Sequence, residues 1–184
     1  PPRFARHLPA RARGGTTIAH RRSASGGLPH PSLAFTMHET PPTTGTTRIQ
    51  VRYVECDPMG VAHHSSYLPW MEMGRTELLR AVGESYAALE AAGVFLVVTK
   101  VEVKYRRPIR YDDVIELRTT VTGSSKVKLV HGYELVLVER GGKVPDHAAD
   151  ASVPLDGVCA VGSTELACVG GDGRPRALPG WLVG

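Results

Sequence analysis

The sequence predicts an α+β fold in which an antiparallel sheet wraps around one long helix, and three observations lead to this class. Residues 66–82 carry apolar side chains at helical spacing. Segments before and after this helix alternate apolar and polar residues, as half-buried strands do. The later segments are separated by short turns, which join antiparallel neighbours. A lone long helix flanked by strands is best buried by a sheet that curls around it.

The first predicted strand covers residues 47–54. Its apolar positions Ile49, Val51 and Tyr53 alternate with polar ones, so they are expected on one face of the sheet. The sequence Asp-Pro-Met-Gly at 57–60 then predicts a tight turn, because aspartate, proline and glycine suit its first, second and fourth positions. The strand is therefore expected to reverse into the helix through this turn.

The long helix, residues 66–82, is predicted to begin at Ser65 or Ser66, because either serine is a suitable N-cap. Pro69 falls in or just beyond the first turn, where its missing N–H costs little. Gly83 follows the last apolar position and is placed to end the helix.

The remaining predicted elements are a short helix and four strands. They cover residues 85–92, 94–107, 114–122, 126–139 and 162–169. Residues 94–107 are continuously apolar at first and alternate later, so this strand is expected to be buried on both faces at its start and on one face afterwards. Residues 143–160 are irregular and are interpreted as an insertion between the last two strands.

The positive charge of the chain is concentrated in its N-terminal part. The formal net charge is +4, but residues 1–36 hold six arginines and no acidic residue, so residues 37–184 carry about −2 (+4 less +6). The folded part therefore shows no basic stripe of the kind that binds nucleic acid. Residues 1–46 are interpreted as a disordered basic extension, either a transit peptide or residues upstream of a natural start at Met37. The predicted domain is 47–184.

Cysteine and histidine usage gives no metal or disulfide framework. Cys56, Cys159 and Cys168 have no CxxC spacing, which argues against disulfides and a zinc site. Adjacent residues rarely share a metal, and His63-His64 has no spaced partners, so no metal is expected. No apolar run approaches the roughly 20 residues needed to span a bilayer. We expect a cytoplasmic protein with no membrane span.

The run VRYVECDPMGVAHHSSYLPWMEMGRTELLRAVG, followed by FLVVTKVEVKYRRPIRYDD, resembles the hotdog-fold acyl-CoA thioesterases. The likeness is closest to the 4-hydroxybenzoyl-CoA thioesterase family, including its Tol–Pal-associated bacterial branch, and it covers residues 48–139. It resumes at GSTELACV and GRPRALP near the C-terminus. The resemblance implies a hotdog fold, hydrolysis of an acyl-CoA to free acid and CoA, and no metal or redox cofactor. It also implies a homodimer or homotetramer with sites at subunit interfaces.

By the same resemblance, the family's catalytic aspartate falls on Asp57, and supporting residues of the Tol–Pal-associated branch fall on Tyr53 and His64. Asp57 is expected to act either as a general base toward water or as a nucleophile that forms a mixed anhydride. Free N–H groups at the helix start are expected to hold the oxyanion. The residues predicted to contact substrate are Gly60, Val61, His63, Ser65 and Tyr67. This chain departs from the family pattern at Pro69, in the insertion and in the long N-terminal extension.

Other interpretations stay open for the same residues. Asp57 also suits a turn cap through its side chain, and Tyr53 suits plain strand packing. Lys104, Arg106 and Arg107 either meet the phosphates of CoA or form a solvated strand face. The alternative functions are an acyl-carrier-protein (acyl-ACP) thioesterase and a non-catalytic acyl-CoA-binding or scaffolding module. Short aliphatic, long-chain and aromatic acyl groups are all allowed.

Overall fold

The computed structural model describes residues 40–146 and 151–182. The strands are β1 (Thr44–Gln50), β2 (Phe95–Tyr105), β3 (Val114–Ser124), β4 (Lys128–Glu139) and β5 (Val158–Val169), and the helices are α1 (Tyr67–Arg80) and α2 (Tyr86–Ala91). All strand pairs are antiparallel, and the five strands form one sheet in the order β1-β3-β4-β5-β2. The predicted α+β class, one long helix with an antiparallel sheet, is confirmed.

The boundaries of the domain differ from the sequence pattern at two places. Of the predicted extension 1–46, residues 1–39, including Met37, lie outside the described residues, and residues 44–46 belong to β1. Of the predicted insertion 143–160, residues 147–150 lie outside the described residues, and 158–160 belong to β5.

The first strand ends before its predicted limit. After Gln50 the backbone pairs with a loop, because the Val51 N–H donates to the Asp113 carbonyl oxygen at 2.9 Å. Ile49 and Val51 are buried as expected, at 6% and 1% exposure. Tyr53 opens a 3₁₀ turn and is 81% exposed. The prediction that Tyr53 shares the buried face is wrong, because this turn breaks the strand alternation.

The 3₁₀ turn that leads into α1 is capped by a histidine. A 3₁₀ turn, His64–Ser66, leads into the helix, and His63 Nδ1 accepts a long hydrogen bond from the Ser65 N–H at 3.3 Å. The Ser66 hydroxyl donates to the Glu55 carbonyl oxygen at 2.8 Å instead of capping the helix. Ser66 therefore occupies the predicted N-cap position of α1, but its side chain caps no amide there, because the Glu55 carbonyl oxygen takes the hydroxyl.

Other helix boundaries follow the local sequence. Pro69 lies in the first turn of α1, and Gly83, with a φ of 76°, follows its end. Helix α2 is capped by the Ser85 side chain and is followed by Gly93, with a φ of 74°. Neither helix in the described ranges has the length and apolar content that crossing a membrane requires.

Helix α1 packs closely on β1 and β3, and glycines at its contacts with the sheet allow this close approach. A β-carbon at Gly74 would lie 2.7 Å from Leu117 Cδ2 and against the Thr119 hydroxyl. Across the helix, a β-carbon at Gly162 of β5 would lie 3.1 Å from the sulfur of Met71. These close approaches hold the helix, and with it the loop at its N-terminus, in place over the sheet.

Strand β2 lies at one edge of the sheet and pairs with β5. Val97, Val98 and Val101 are 42%, 47% and 37% exposed. The prediction that this strand begins buried on both faces is wrong. An apolar run indicates that a strand is covered, but it does not say whether the covering surface belongs to the same chain.

Candidate active site

The turn after β1 holds Asp57 through its side chain and its backbone. The Met59 N–H donates to Asp57 Oδ1 at 2.8 Å, and the Gly60 N–H donates to the Asp57 carbonyl oxygen at 2.9 Å. Gly60 has a φ of 75°, a left-handed conformation that glycine adopts at no steric cost. The predicted turn is present. It leaves Asp57 Oδ2 without a hydrogen-bond partner among the described residues.

Asp57 lines a pocket of about 360 Å³ between this turn, the start of α1 and the end of β2. Val61, His64 and Tyr67 line the same pocket, and Tyr105 contributes from β2. The Tyr67 ring is 3% exposed and packs edge-on against Tyr105, with centroids 4.8 Å apart. Burial raises the pKa of Tyr67, so its phenol stays neutral. Four of the predicted site residues therefore meet at one pocket.

His63 occupies two of the amide groups at the helix start. Its Nδ1 accepts from the Ser65 N–H at 3.3 Å, and its carbonyl oxygen accepts from the Ser66 N–H at 2.9 Å. The described residues provide no acceptor for the His64 N–H. Gly60, His63 and Ser65 do not line the pocket, in contrast to His64. The His64 amide, in the 3₁₀ turn before α1, is therefore a donor that remains available.

Glu55 holds the loop that carries Asp57 against the start of α1, and no sequence pattern predicted this contact. It is 8% exposed, and its carboxylate accepts from the Arg52 N–H at 2.7 Å, the Arg52 guanidinium at 2.8 Å and the Trp70 indole N–H at 2.9 Å. Its carbonyl oxygen accepts from the His63 N–H and the Ser66 hydroxyl, both at 2.8 Å. One residue thus joins the Asp57 loop to the start of α1.

The ionisation of Glu55 follows from these contacts. Burial by itself would raise the pKa of the carboxyl, but hydrogen bonds from the Arg52 side chain and backbone and from Trp70 outweigh it. The pKa of Glu55 therefore lies below its ordinary value, and the carboxylate is charged at neutral pH. Its sequence neighbours gave little indication of this role, because Trp70 lies fifteen residues away.

Tyr53 does not reach Asp57 in the single chain. Its ring packs edge-on against Tyr111, with centroids 5.7 Å apart, and it does not line the pocket. Within the described ranges no hydrogen bond joins Tyr53 to the Asp57 carboxylate. The chain thus brings Asp57 and His64 together and leaves Tyr53 outside.

The basic residues near the end of β2 differ in their partners. Lys104 lies 3.8 Å from a Glu102 oxygen, and Arg106 pairs with Asp156 at 2.7 Å. Arg107 lines the active-site pocket, and its NH1 donates to the Arg106 carbonyl oxygen at 3.1 Å. No carboxylate among the described residues pairs with Arg107, so it presents a cation to the pocket.

The three cysteines are free thiols and are poorly suited to nucleophilic attack. Burial raises the pKa of Cys56 and Cys168, and it raises the pKa of Cys159 to about 11. Thiolate formation is therefore disfavoured at Cys56, beside Asp57. In the part of the chain that the structure describes, no group of three or more His, Cys, Asp or Glu side chains could hold a metal ion.

Residues 51–183 match the model of the Thioesterase-like superfamily, and the chain belongs to that superfamily. The antiparallel sheet with its central helix is accordingly the hotdog fold.

Several relatives are named for activity on CoA thioesters. YbgC of Escherichia coli, an acyl-CoA thioester hydrolase, is 38% identical over 91 residues, which are 50% of this chain and 68% of YbgC. YneP of Bacillus subtilis is 37% identical over 87 residues, which are 47% of this chain and 63% of YneP, so less than two thirds of that relative is covered. The solved structure of a DHNA-CoA thioesterase from Staphylococcus aureus is 30% identical with a TM-score of 0.59, over 73% of this chain and 79% of that one.

Proposed function

We propose that the protein is an acyl-CoA thioesterase, which hydrolyses an acyl-CoA to the free acid and CoA. Within the superfamily we assign it to the 4-hydroxybenzoyl-CoA thioesterase family and its Tol–Pal-associated branch. The observation that carries the proposal is the Asp57 carboxylate, which shares a pocket with the start of α1. The named activities of the relatives support the same chemistry. A carboxylate, water and backbone amides suffice for it, without a metal or redox cofactor.

Asp57 acts on the thioester carbonyl carbon in one of two ways. As a general base it takes a proton from water, the water oxygen attacks the carbon, and the C–S bond breaks as the CoA thiolate leaves. As a nucleophile it attacks the carbon and displaces the thiolate, and water then opens the mixed anhydride. The Met59 N–H holds Oδ1, so Oδ2 is free for either step.

The His64 N–H and the positive end of α1 form the proposed oxyanion site. A free amide at a helix N-terminus stabilises negative charge that develops on the carbonyl oxygen. The His64 side chain orients the attacking water or Asp57. Because Tyr53 is exposed in the single chain, its supporting role requires an assembled dimer.

The residues predicted to contact substrate fall into two groups, those that line the pocket and those that lie around it. Val61 and Tyr67 line the pocket and contact the acyl group in our proposal. Gly60, His63 and Ser65 shape the loop and the helix start around it.

Arg107 favours CoA as the carrier of the acyl group. Its guanidinium faces the pocket without a carboxylate partner among the described residues, and guanidinium groups bind phosphates well. Turnover of one acyl group presented on CoA and on acyl carrier protein decides between the two carriers. Faster turnover on the carrier protein would contradict the assignment to CoA.

We propose a homodimer through the edge of β2, and pairing of two dimers would give a homotetramer. The exposed Val97, Val98 and Val101 on an edge strand support this interface. Val98→Asp should lower the sedimentation mass to that of one chain, and an unchanged mass would contradict the interface. The proposed location is the cytoplasm.

The decisive experiment replaces Asp57 by asparagine. Asparagine also caps such turns, so the substitution removes the charge and keeps the loop. Thiol release from an acyl-CoA panel should fall by at least about 100-fold, in line with the loss of a catalytic base. Asp172 is the matched control, because its Oδ1 accepts from the Arg174 N–H at 3.0 Å in a similar turn away from the pocket. If D57N is as active as D172N, Asp57 is only a turn cap.

A further inference from the structure

Two further cavities lie along α1 beyond the active-site pocket. The first, here called the groove, has a volume of about 310 Å³. Its lining includes Leu68, Glu72, Arg75, Val98, Val101 and Thr164. Val98 and Val101 also belong to the proposed dimer interface, so in the assembled dimer the groove lies at the boundary between the two subunits. The second, here called the chamber, has a volume of about 50 Å³. Its lining includes Arg75, Leu78, Leu79, Leu96, Leu129 and His131. Among the described residues that line these cavities, Arg75 is common to both.

The groove lies beside the active-site pocket, farther along α1 and β2. Tyr67 lines the pocket and Leu68, the next residue of α1, lines the groove. On β2, Tyr105 lines the pocket and Val101 lines the groove, on the same face of the strand. Arg75 lies eight residues beyond Tyr67, roughly 12 Å along the helix axis. An acyl chain that leaves the pocket along α1 therefore meets Arg75.

Arg75 is a buried cation that is held in place. It is 7% exposed, and its NH2 pairs with Glu72 Oε2 at 3.0 Å. Its Nε is buried without a hydrogen-bond partner. A buried charge that is moved from its partner is costly, so the guanidinium resists displacement by an apolar chain. The space behind it is apolar, with leucines from α1, β2 and β4.

We propose that Arg75 determines the acyl-chain length of the substrate, because its guanidinium closes the far end of the groove and separates it from the chamber. This inference rests on the proposed thioesterase function. Chains that end in the groove are accepted. Longer methyl-ended chains are rejected, because they would contact a buried cation instead of the leucines beyond it.

The first test measures kcat/KM for saturated acyl-CoAs of increasing length. Arg75→Met removes the guanidinium and keeps an unbranched apolar stem, so the groove opens into the chamber. The preferred length should increase by about one to two carbons, since the chamber of about 50 Å³ has room for between one and two groups of the size of a water, which takes about 30 Å³. Arg80→Met is the matched control, because Arg80 pairs with Glu77 on the same helix but lines neither cavity. The R80M preference should equal that of the wild type. The inference is overturned if R75M also prefers the same acyl-chain length as the wild type.

The second test uses binding alone. Non-hydrolysable S-alkyl-CoA thioethers of increasing length are titrated by calorimetry into the wild-type protein. Each methylene that enters apolar surroundings should increase affinity by about fourfold. This increase should stop at the length that reaches Arg75. It should stop at the same length in Arg75→Lys, which keeps the charge, and continue further in R75M.

The two tests separate failure of the inference from failure of the proposed function. If the wild type and R75M both release thiol and prefer the same acyl-chain length, the role of Arg75 is refuted and the thioesterase assignment is kept. The opposite result is an increase in thioether affinity that stops at a greater length in R75M than in the wild type while neither protein releases thiol. That result keeps the role of Arg75 and refutes the thioesterase. An even rise in wild-type affinity across the series overturns the inference even if R75M does not fold.

Discussion

Acidification should destabilise the protein through the buried imidazole of His131. His131 is 3% exposed, and its Nδ1 has no hydrogen-bond partner. Burial, together with the nearby charge of Arg75, lowers the pKa of His131 from 6.5 to about 4. Between these two values the unfolded chain binds a proton and the folded chain does not. Stability from this group is therefore fully present above pH 6.5 and is lost as the pH falls toward 4.

The magnitude follows from the width of this interval. From 6.5 to about 4 is about 2.5 pH units, and at about 1.4 kcal/mol per unit the loss is about 3 to 4 kcal/mol. Urea unfolding at a series of pH values measures it. His131→Leu removes the titration and the unpartnered polar atom, so this variant should match or exceed wild-type stability at neutral pH. The difference in free energy of unfolding between this variant and the wild type should therefore grow with acidification. At about pH 4.5 it should be about 2 kcal/mol larger than at neutral pH.

The control is His64→Leu, which removes an exposed imidazole and leaves His131 in place, so the loss of stability caused by the burial of His131 should persist in this variant. The burial argument is refuted if the wild type and H131L lose the same free energy of unfolding between neutral pH and about pH 4.5.

Two other substitutions test the packing and the loop around the site. Gly74→Ala should destabilise the protein by about 1–3 kcal/mol in urea unfolding, although alanine favours helix, because its β-carbon would lie 2.7 Å from Leu117. Gly123→Ala, at an open position, is the control, and equal stability of the two variants would contradict the close approach. Glu55→Gln should lower thiol release by roughly 10- to 100-fold through misplacement of the loop, with the protein still folded by circular dichroism. Because the pKa of Glu55 lies below its ordinary 4.5, the stability that it contributes should be lost only as the pH falls below that value. Hydrogen exchange of the loop measures this loss, and loosening already near neutral pH would refute it.

Local patterns were sufficient to predict the elements that local chemistry determines. The helix spacing, Pro69 and Gly83 predict α1 closely, because each acts through its own backbone conformation. The turn at Asp57 likewise follows from aspartate, proline and glycine. These features do not depend on distant parts of the chain.

Features that depend on tertiary partners were missed. The apolar start of β2 is the same whether the strand is central or at an edge, so its exposure could not be predicted. Tyr53 fits the strand alternation until Arg52 and Glu55 bond to each other and turn the chain. The role of Glu55 also depends on Trp70, which only the folded chain brings near.

The strand order also has a consequence for synthesis of the protein on the ribosome. β1 pairs with β3, and β2 pairs with β5, so both strands that flank the active-site segment have partners that emerge much later. The apolar face of α1 therefore has no paired strands to cover it until β3 (Val114–Ser124) has been translated. Such long-range pairing folds slowly and exposes apolar surface in the meantime. The pocket that carries Asp57 is accordingly encoded early in the chain and is completed only after the last strand, β5, has joined the sheet.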